Sequence, residues 1–576
     1  MNVSETNKKR IVFFFLIGLT FIVSLPSIIV KNPFVSVDLV FHLNRILGVS
    51  TELSGNHFPV RISSYWLNGY SYPASVFYGD ILLYFPAVLH IIGVDIIQCF
   101  NIFIVFINLL TVVISYFCFK DVFKSRKTAM LLTSFYSTSV FRMSELYYRG
   151  AVGEFAAMAF LPLIMCALYR IYSCNENKLI TSIVFASGMT GVLANHIITF
   201  FLVIICIVFV CLLFIKDTFK WNTIKTYLLS AVFTIALSAY FIIPFLDYYI
   251  SVDTMVSHVA GTGNSGLYYM SALIIDYFDF FGSSDRLTYS PGLFLMMSFL
   301  FSLIFIIYKK LKGKNIRVFI LSAILLVISS NLFPWDYLIS VSRVFRFVSL
   351  IQYPFRFLII GMIVLTYLAG VLLNYLFSAD NLLSEKKASS DNTSSPVNRV
   401  SSEKIFISML VFAIILSGVY SIGYYSRNHS NERVDIDSMF IGAGREYLIF
   451  GSDEKNFDDS PIICDGRIDF LSQNGCHHEY NVIEYTDDTV VTLPVLDYKY
   501  YYVFDENNKT IDTFSSDHKL ISFKLENGYR GKLVLDFKEP LFWRIGEATS
   551  VLTIILLIIG IKVSIWKRKK INPNYG

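Results

Sequence analysis

NPFVSVDLVFHLNRILG (residues 32–48) and HFPVRISSYWLNGYSYPASVFYGD (residues 57–80) follow directly on the first apolar run of the chain. Read as a helix, residues 37–48 put Asp38, His42 and Arg45 at i, i+4 and i+7, one narrow stripe, while Leu39, Val40, Leu43, Ile46 and Leu47 cover the other side. The pattern predicts an amphipathic helix at a membrane surface, its charged stripe in water. An acid, an imidazole and a guanidinium on one wet face can serve proton transfer and anion binding, or simply keep that face solvated. Tyr65, Trp66, Tyr70, Tyr72, Phe77 and Tyr78 in the second segment suit an interfacial aromatic belt, or stacking on sugar faces.

The chain around this loop is apolar. It has 576 residues, 55% hydrophobic and 16% charged, with a mean hydropathy of +0.58, which excludes a soluble multidomain enzyme. The net charge of +5 does not mark a nucleic-acid binder, because Lys and Arg sit in short clusters between uncharged runs. Runs of roughly 20 apolar residues, long enough to cross a bilayer, lie near 11–30, 97–119, 128–143, 154–173, 179–195, 197–215, 226–246, 291–308, 317–333, 356–378, 405–425 and 546–566. The expectation is a polytopic α-helical protein with about twelve spans. Alternate loops carry the basic residues, from Lys8, Lys9 and Arg10 to the WKRKK tail at 566–570, so both termini are expected in the cytoplasm and the 31–96 loop outside. The first run is too long for a signal-peptide core and is expected to stay as an anchor.

Residues 1–378 thus read as a multi-span module with a large first external loop, 379–404 as a polar, Ser-rich cytoplasmic linker, and 405–425 as a further span. Residues 426–545 read as a small external β-rich domain, followed by a last span and basic tail at 546–576. Period-two alternation supports the strands: Ile521, Phe523 and Leu525 against Ser522 and Lys524, and Leu533, Leu535 and Phe537 against Val534, Asp536 and Lys538. DENN at 505–508 and ENG at 526–528 read as turns. Cys464 and Cys476 fall in this external region, where a disulfide between them or two thiols are both open.

The centres of nearly all the runs lack Asp, Glu, Lys, Arg and His, which a transport route would need. Polar residues gather instead at the predicted outer ends: Glu145, Arg149 and Glu154 in SELYYRGAVGEF, His196 in ANH, and Gln352 and Arg356 in QYPFRF. Singly, each has a structural reading as a helix-terminus charge, a snorkelling arginine or a turn residue. Together with Asp38, His42 and Arg45 they are expected to face one external cavity. Carboxylates for base work beside arginines for a phosphate suit a substrate whose leaving group is a lipid phosphate. There is no P-loop or Gly-rich nucleotide fingerprint.

DLVFHLNR, HFPVRISSYWLNGYSYPASVFYGD, YYRGAVGE, ANH and QYPFRF resemble the bacterial integral membrane proteins labelled 6-pyruvoyl-tetrahydropterin synthase-related, akin to the YfhO-like group of the GT-C glycosyltransferase superfamily. The resemblance implies a GT-C-like membrane module with an acid in its first external loop. It makes Asp38 the catalytic base and Glu154 the second acid, with Arg149, His196, Gln352 and Arg356 lining the donor-phosphate or acceptor pocket; His42 and Arg45, from the charged stripe of the loop, are expected to bind substrate beside them. The partners it implies are membrane lipid, a polyprenyl-phosphate sugar and an extracytoplasmic glycan acceptor, with no nucleic acid. One Asp rather than an acidic pair leaves a divalent cation open, and the pterin label would need a trio of zinc-binding histidines where only His477 and His478 are adjacent. The leading expectation is transfer of a sugar to an envelope glycan or polymer; the alternatives are a lipid-linked saccharide transporter and a non-catalytic envelope assembly protein.

Overall fold

The computed structural model describes residues 5–30, 38–174, 177–259, 271–282, 286–348, 351–388, 402–427, 434–442, 445–452, 457, 462, 464, 466–485, 490–525 and 528–571. The Asn32 end of the opening stretch, much of the 379–404 linker and part of the ENG turn lie outside them; the helix Phe357–Ala388 runs into the expected linker and Ser402–Arg427 resumes after it.

Five helices are long and apolar enough to cross a bilayer: Ile96–Phe123, Val152–Ser173, Pro354–Phe377, Glu403–Ser426 and Leu541–Val563. Trp221–Leu237 and Ala239–Ser251, bent by 76° at their junction, make a sixth if taken as one span. The expectation of about twelve spans is corrected to five or six among the described residues. Hydropathy counts apolar residues, whereas crossing needs unbroken length. Lys178–Leu193, Ile197–Leu213, Leu293–Ile307 and Lys314–Ile328 have 16, 17, 15 and 15 residues, and at 1.5 Å per residue they fall short of a hydrocarbon core of about 30 Å. The 128–143 run divides into Arg126–Ser137 and Val140–Tyr147, and the 11–30 run breaks between Val23 and Leu25.

The chain forms two compact units that cut across the domains read from sequence. One gathers Met1–Val37, Asn101–Thr234 and Gly263–Arg433; the other gathers Asp38–Phe100, Ile235–Thr262 and Val434–Gly576. Each has its own apolar core.

In the second unit the expected β domain is present as eight strands: β1 Gly466–Asn474, β2 His477–Tyr485, β3 Val490–Leu496, β4 Tyr501–Phe504, β5 Thr510–Ile511, β6 Thr513–Ser515, β7 Leu520–Lys524 and β8 Gly531–Phe537. They form one sheet in the order β1-β2-β8-β4-β5 and another in the order β3-β7-β6. The alternation in β8 is the one read from sequence, with Leu533 and Leu535 fully buried and Lys532 exposed. In β7 Ser522 is buried as well, bonded to Thr492 at 2.8 Å. The DENN turn is held by Asp505 Oδ1, which accepts from the backbone N–H groups of Asn507 (2.9 Å) and Lys509 (2.8 Å).

This unit also absorbs the aromatic segment of the first loop. Trp66, Tyr70, Tyr72 and Phe77 are at most 2% exposed, and backbone bonds from Leu496 N to Tyr70 O (2.9 Å) and a Tyr501–Ser71 side-chain bond (2.9 Å) bind the loop to strands. These rings are core, neither a membrane belt nor open stacking faces, because a sheet lies against them. Cys464 and Cys476 are both thiols; Cys476 Sγ turns to Ile62 O at 3.4 Å.

Below β8 the chain passes through Glu539 into the helix Leu541–Ile571. The buried Arg61 guanidinium stands 3.5 Å from Glu539 and 2.8 Å from Glu547. Burial pushes the Glu539 carboxyl up to about 7, with Arg61 pulling down and Glu547 pushing up. A carboxyl raised above its ordinary 4.5 holds its proton more tightly when folded, so its stabilising share is whole at low pH and is lost as pH rises through about 7. Glu539→Gln is therefore expected to remove a fall in unfolding free energy between about pH 5 and about pH 8. Denaturant titrations at both ends of that window check it, and an unchanged slope refutes the assignment.

Candidate functional site

SELYYRGAVGEF folds as two short helices, Val140–Tyr147 and Val152–Met158, joined by a tight turn. Gly150 sits at φ +73°, where a Cβ would be strained, and Ala151 N returns to Glu145 O at 3.0 Å. The reversal brings Glu145 and Glu154 to the same guanidinium. Arg149 Nη1 donates to Glu145 Oε2 at 2.8 Å and to Glu154 Oε1 at 2.9 Å.

Arg356 arrives from the other side. Gln352 adopts φ +65°, Pro354–Arg356 make a single 3-10 turn, and the long helix starts at Phe357. Pro354 suits that first turn because its missing N–H would have no helical partner. Arg356 gives Nε and Nη2 to Glu154 Oε1 at 2.8 and 2.7 Å, and Nη1 to Gln352 Oε1 and Ile351 O, both at 2.8 Å. The Tyr353 ring lies 5.3 Å from the Arg149 guanidinium and 4.8 Å from that of Arg356, and stacks on Phe355.

His196 caps the helix Ile197–Leu213, its Nδ1 accepting from Thr199 N at 3.2 Å. The proton of the neutral ring then belongs on Nε2, which stands 3.9 Å from Glu154 Oε1. Five of the eight expected residues or contacts of the site, Glu154, Arg149, His196, Gln352 and Arg356, are thus brought together within one unit, although they span more than 200 positions of sequence.

Glu145 and Glu154 are at most 1% exposed. Among the described residues their second oxygens, Glu145 Oε1 and Glu154 Oε2, have no protein partner. Both can accept a hydroxyl or water proton. Glu154 Oε1, shared by two guanidiniums, is a poor base; Glu145, which pairs with Arg149 and not with Arg356, is better suited to take a proton. Glu145 was visible in sequence as the third charge of the segment, but a helix reading alone could not show that Arg149 is shared. Among the described residues no group of three His, Cys, Asp or Glu side chains could hold a metal ion.

Asp38, His42 and Arg45 belong to the second unit. Asp38 is the N-cap of Leu39–Ser54 and its side chain does not cap the helix. The expected wet stripe is corrected: His42 and Arg45 are 3% and 4% exposed, because the 57–80 segment covers that face. Arg45 donates through Nη2 to Gly79 O at 2.6 Å and Tyr78 O at 3.2 Å, approaches His42 Nδ1 at 3.3 Å, and lies over the Tyr78 ring at 3.9 Å. It holds the end of the loop in place.

No family model matches the chain. No curated protein matches it either. Among solved structures it is similar to the archaeal oligosaccharyltransferase AglB from Archaeoglobus fulgidus in complex with an inhibitory peptide and a dolichol-phosphate, at 12% identity and TM-score 0.36 over 73% of this chain and 56% of that one. The oligosaccharyltransferase of the same organism tethered to an acceptor peptide gives 13% and 0.38 over 74% and 56%, and its apo form 13% and 0.35 over 71% and 56%. The chain spans a little over half the length of these structures.

Proposed function

We propose that this protein is an integral-membrane glycosyltransferase that moves a sugar from a polyprenyl-phosphate donor to an extracytoplasmic envelope glycan or polymer. The observation that carries the reading is the buried Glu145–Arg149–Glu154–Arg356 cluster with His196 beside it. Charges buried in an apolar helical unit are expensive, and two carboxylate oxygens left without a donor among the described residues suit an incoming hydroxyl.

In the reaction the acceptor oxygen bonds to the sugar's anomeric carbon as the bond from that carbon to the phosphate oxygen breaks. A carboxylate takes the hydroxyl proton; within this cluster that is Glu145 by its surroundings, while Asp38, in the other unit, holds the role by family resemblance alone. Arginine and the His196 N–H offset the charge on the departing lipid phosphate. An apolar cavity of about 110 Å³ lined by Leu161, Ile164, Val203, Val210, Leu321 and Ile363 suits part of an isoprenoid tail.

The transporter alternative draws on one observation of its own, the 76° break between Trp221–Leu237 and Ala239–Ser251. Glycan analysis of envelope fractions from cells carrying the wild type, Asp38→Asn, Glu145→Gln and Glu154→Gln separates the readings. A transferase loses one sugar from the polymer while its lipid-linked donor accumulates, in at least one variant present at normal level. Unaltered glycan in all three rejects it, and loss of the whole polymer with its precursor trapped inside favours transport.

A further inference from the structure

Arg142 lies in the Val140–Tyr147 helix, within a run that reads as apolar, and is fully buried. Its Nη1 donates to Ser137 O at 3.3 Å, its Nη2 to Thr111 Oγ1 at 2.9 Å, and its guanidinium packs 4.1 Å from the Phe155 ring centre. None of these partners carries a negative charge. Glu145, three residues on, is turned to Arg149 instead. Among the described residues no carboxylate forms an ion pair with Arg142.

A buried cation without a counter-charge is costly, so what stands around it matters. Among the described residues Arg142 Nε has no partner, and neither do the hydroxyls of Ser137, whose carbonyl Arg142 binds, and Ser115, one turn from Thr111 on the helix Ile96–Phe123. All three residues are fully buried. Each atom can donate a hydrogen bond, and each belongs to a residue bonded to Arg142 or one helical turn from such a residue. Asn108 Oδ1 also lacks a partner among the described residues, but as an acceptor it would repel an anion and is not in the set.

We propose that Arg142, Ser115 and Ser137 form a binding site for a small inorganic anion, which supplies the charge that the protein leaves out. Complete burial of the lining residues disfavours a bulky occupant, and chloride is the simplest ion of this class. The site is separate from the Glu154 cluster and does not depend on the transferase reading.

The test uses the full chain purified in detergent, with chloride as the probe and gluconate holding ionic strength constant. The thermal midpoint of the wild type is expected to rise saturably with chloride, by roughly 2 °C or more. In Arg142→Met that dependence should vanish, because the guanidinium is its origin. Should Arg142→Met fail to fold, Ser115→Ala and Ser137→Ala give the same reading, each requiring several-fold more chloride for half of the effect. Chloride-35 line broadening that the wild type shows and bromide competes away supports the site independently. A wild-type midpoint equal in chloride and gluconate overturns the proposal, as does chloride dependence undiminished in every variant.

Discussion

Glu154→Ala is expected to destabilise the helical unit by about 3–5 kcal/mol, the usual cost of leaving a buried charge without its partner. The effect should sit at the top of that range, because Glu154 Oε1 serves Arg149 and Arg356 together. After the substitution only Glu145 remains against two guanidiniums, and among the described residues it pairs with Arg149 alone. Glu154→Gln keeps an acceptor oxygen but not its charge and should lie between wild type and Ala. Removing a guanidinium at the same time, in Glu154→Ala with Arg356→Met, should recover part of the loss, since the second change takes away a stranded charge. Denaturant unfolding of the purified protein and its variants measures all four corners of this cycle. Additive losses would show that the two residues are energetically independent, against the geometry.

Much of that cluster was legible in the sequence. Charged residues are rare enough in the apolar runs that SELYYRGAVGEF, ANH and QYPFRF mark themselves, and the fold joins all three through Glu154. The sharing of one arginine by two acids was not legible, because it depends on the left-handed turn at Gly150.

The amphipathic reading of residues 37–48 failed for a different reason. A 3.6-residue period tells which side chains share a face of the helix, not what covers that face. Here aromatic loop residues cover it, and Arg45 spends its donors on the Tyr78 and Gly79 carbonyls. Arg142 escaped notice because a single charge hardly lowers the hydropathy of a long window. The excess of expected spans has the same origin, since such windows run across breaks at Ser24, Thr138 and Ser238 without registering them.

In the second unit the largest effect is expected from Glu52, which is 1% exposed in the Leu39–Ser54 helix. Its Oε1 accepts from Ser64 N (2.9 Å) and Ser64 Oγ (3.1 Å), and its Oε2 from Cys476 N (3.0 Å) and His57 Nδ1 (2.8 Å). One side chain thus ties the first-loop helix to the following segment and to the β1–β2 turn. Glu52→Ala strands two backbone N–H groups, each costing about 1–3 kcal/mol when buried, so a loss of about 3 kcal/mol or more is expected. The loss should depend on pH. The hydrogen bond to Glu52 raises His57 above its ordinary value, burial opposing it. A raised imidazole contributes stability that is whole below its unfolded value and fades as pH rises through its folded one. The wild type therefore has more to lose in acid, and the deficit of Glu52→Ala should be larger near pH 6 than near pH 8.5. Glu52→Gln, which can still accept from a backbone N–H but cannot pair with a charged imidazole, should lose most of the pH dependence while retaining part of the stability. A deficit equal at both pH values would detach His57 from Glu52 and leave this carboxylate a purely backbone role.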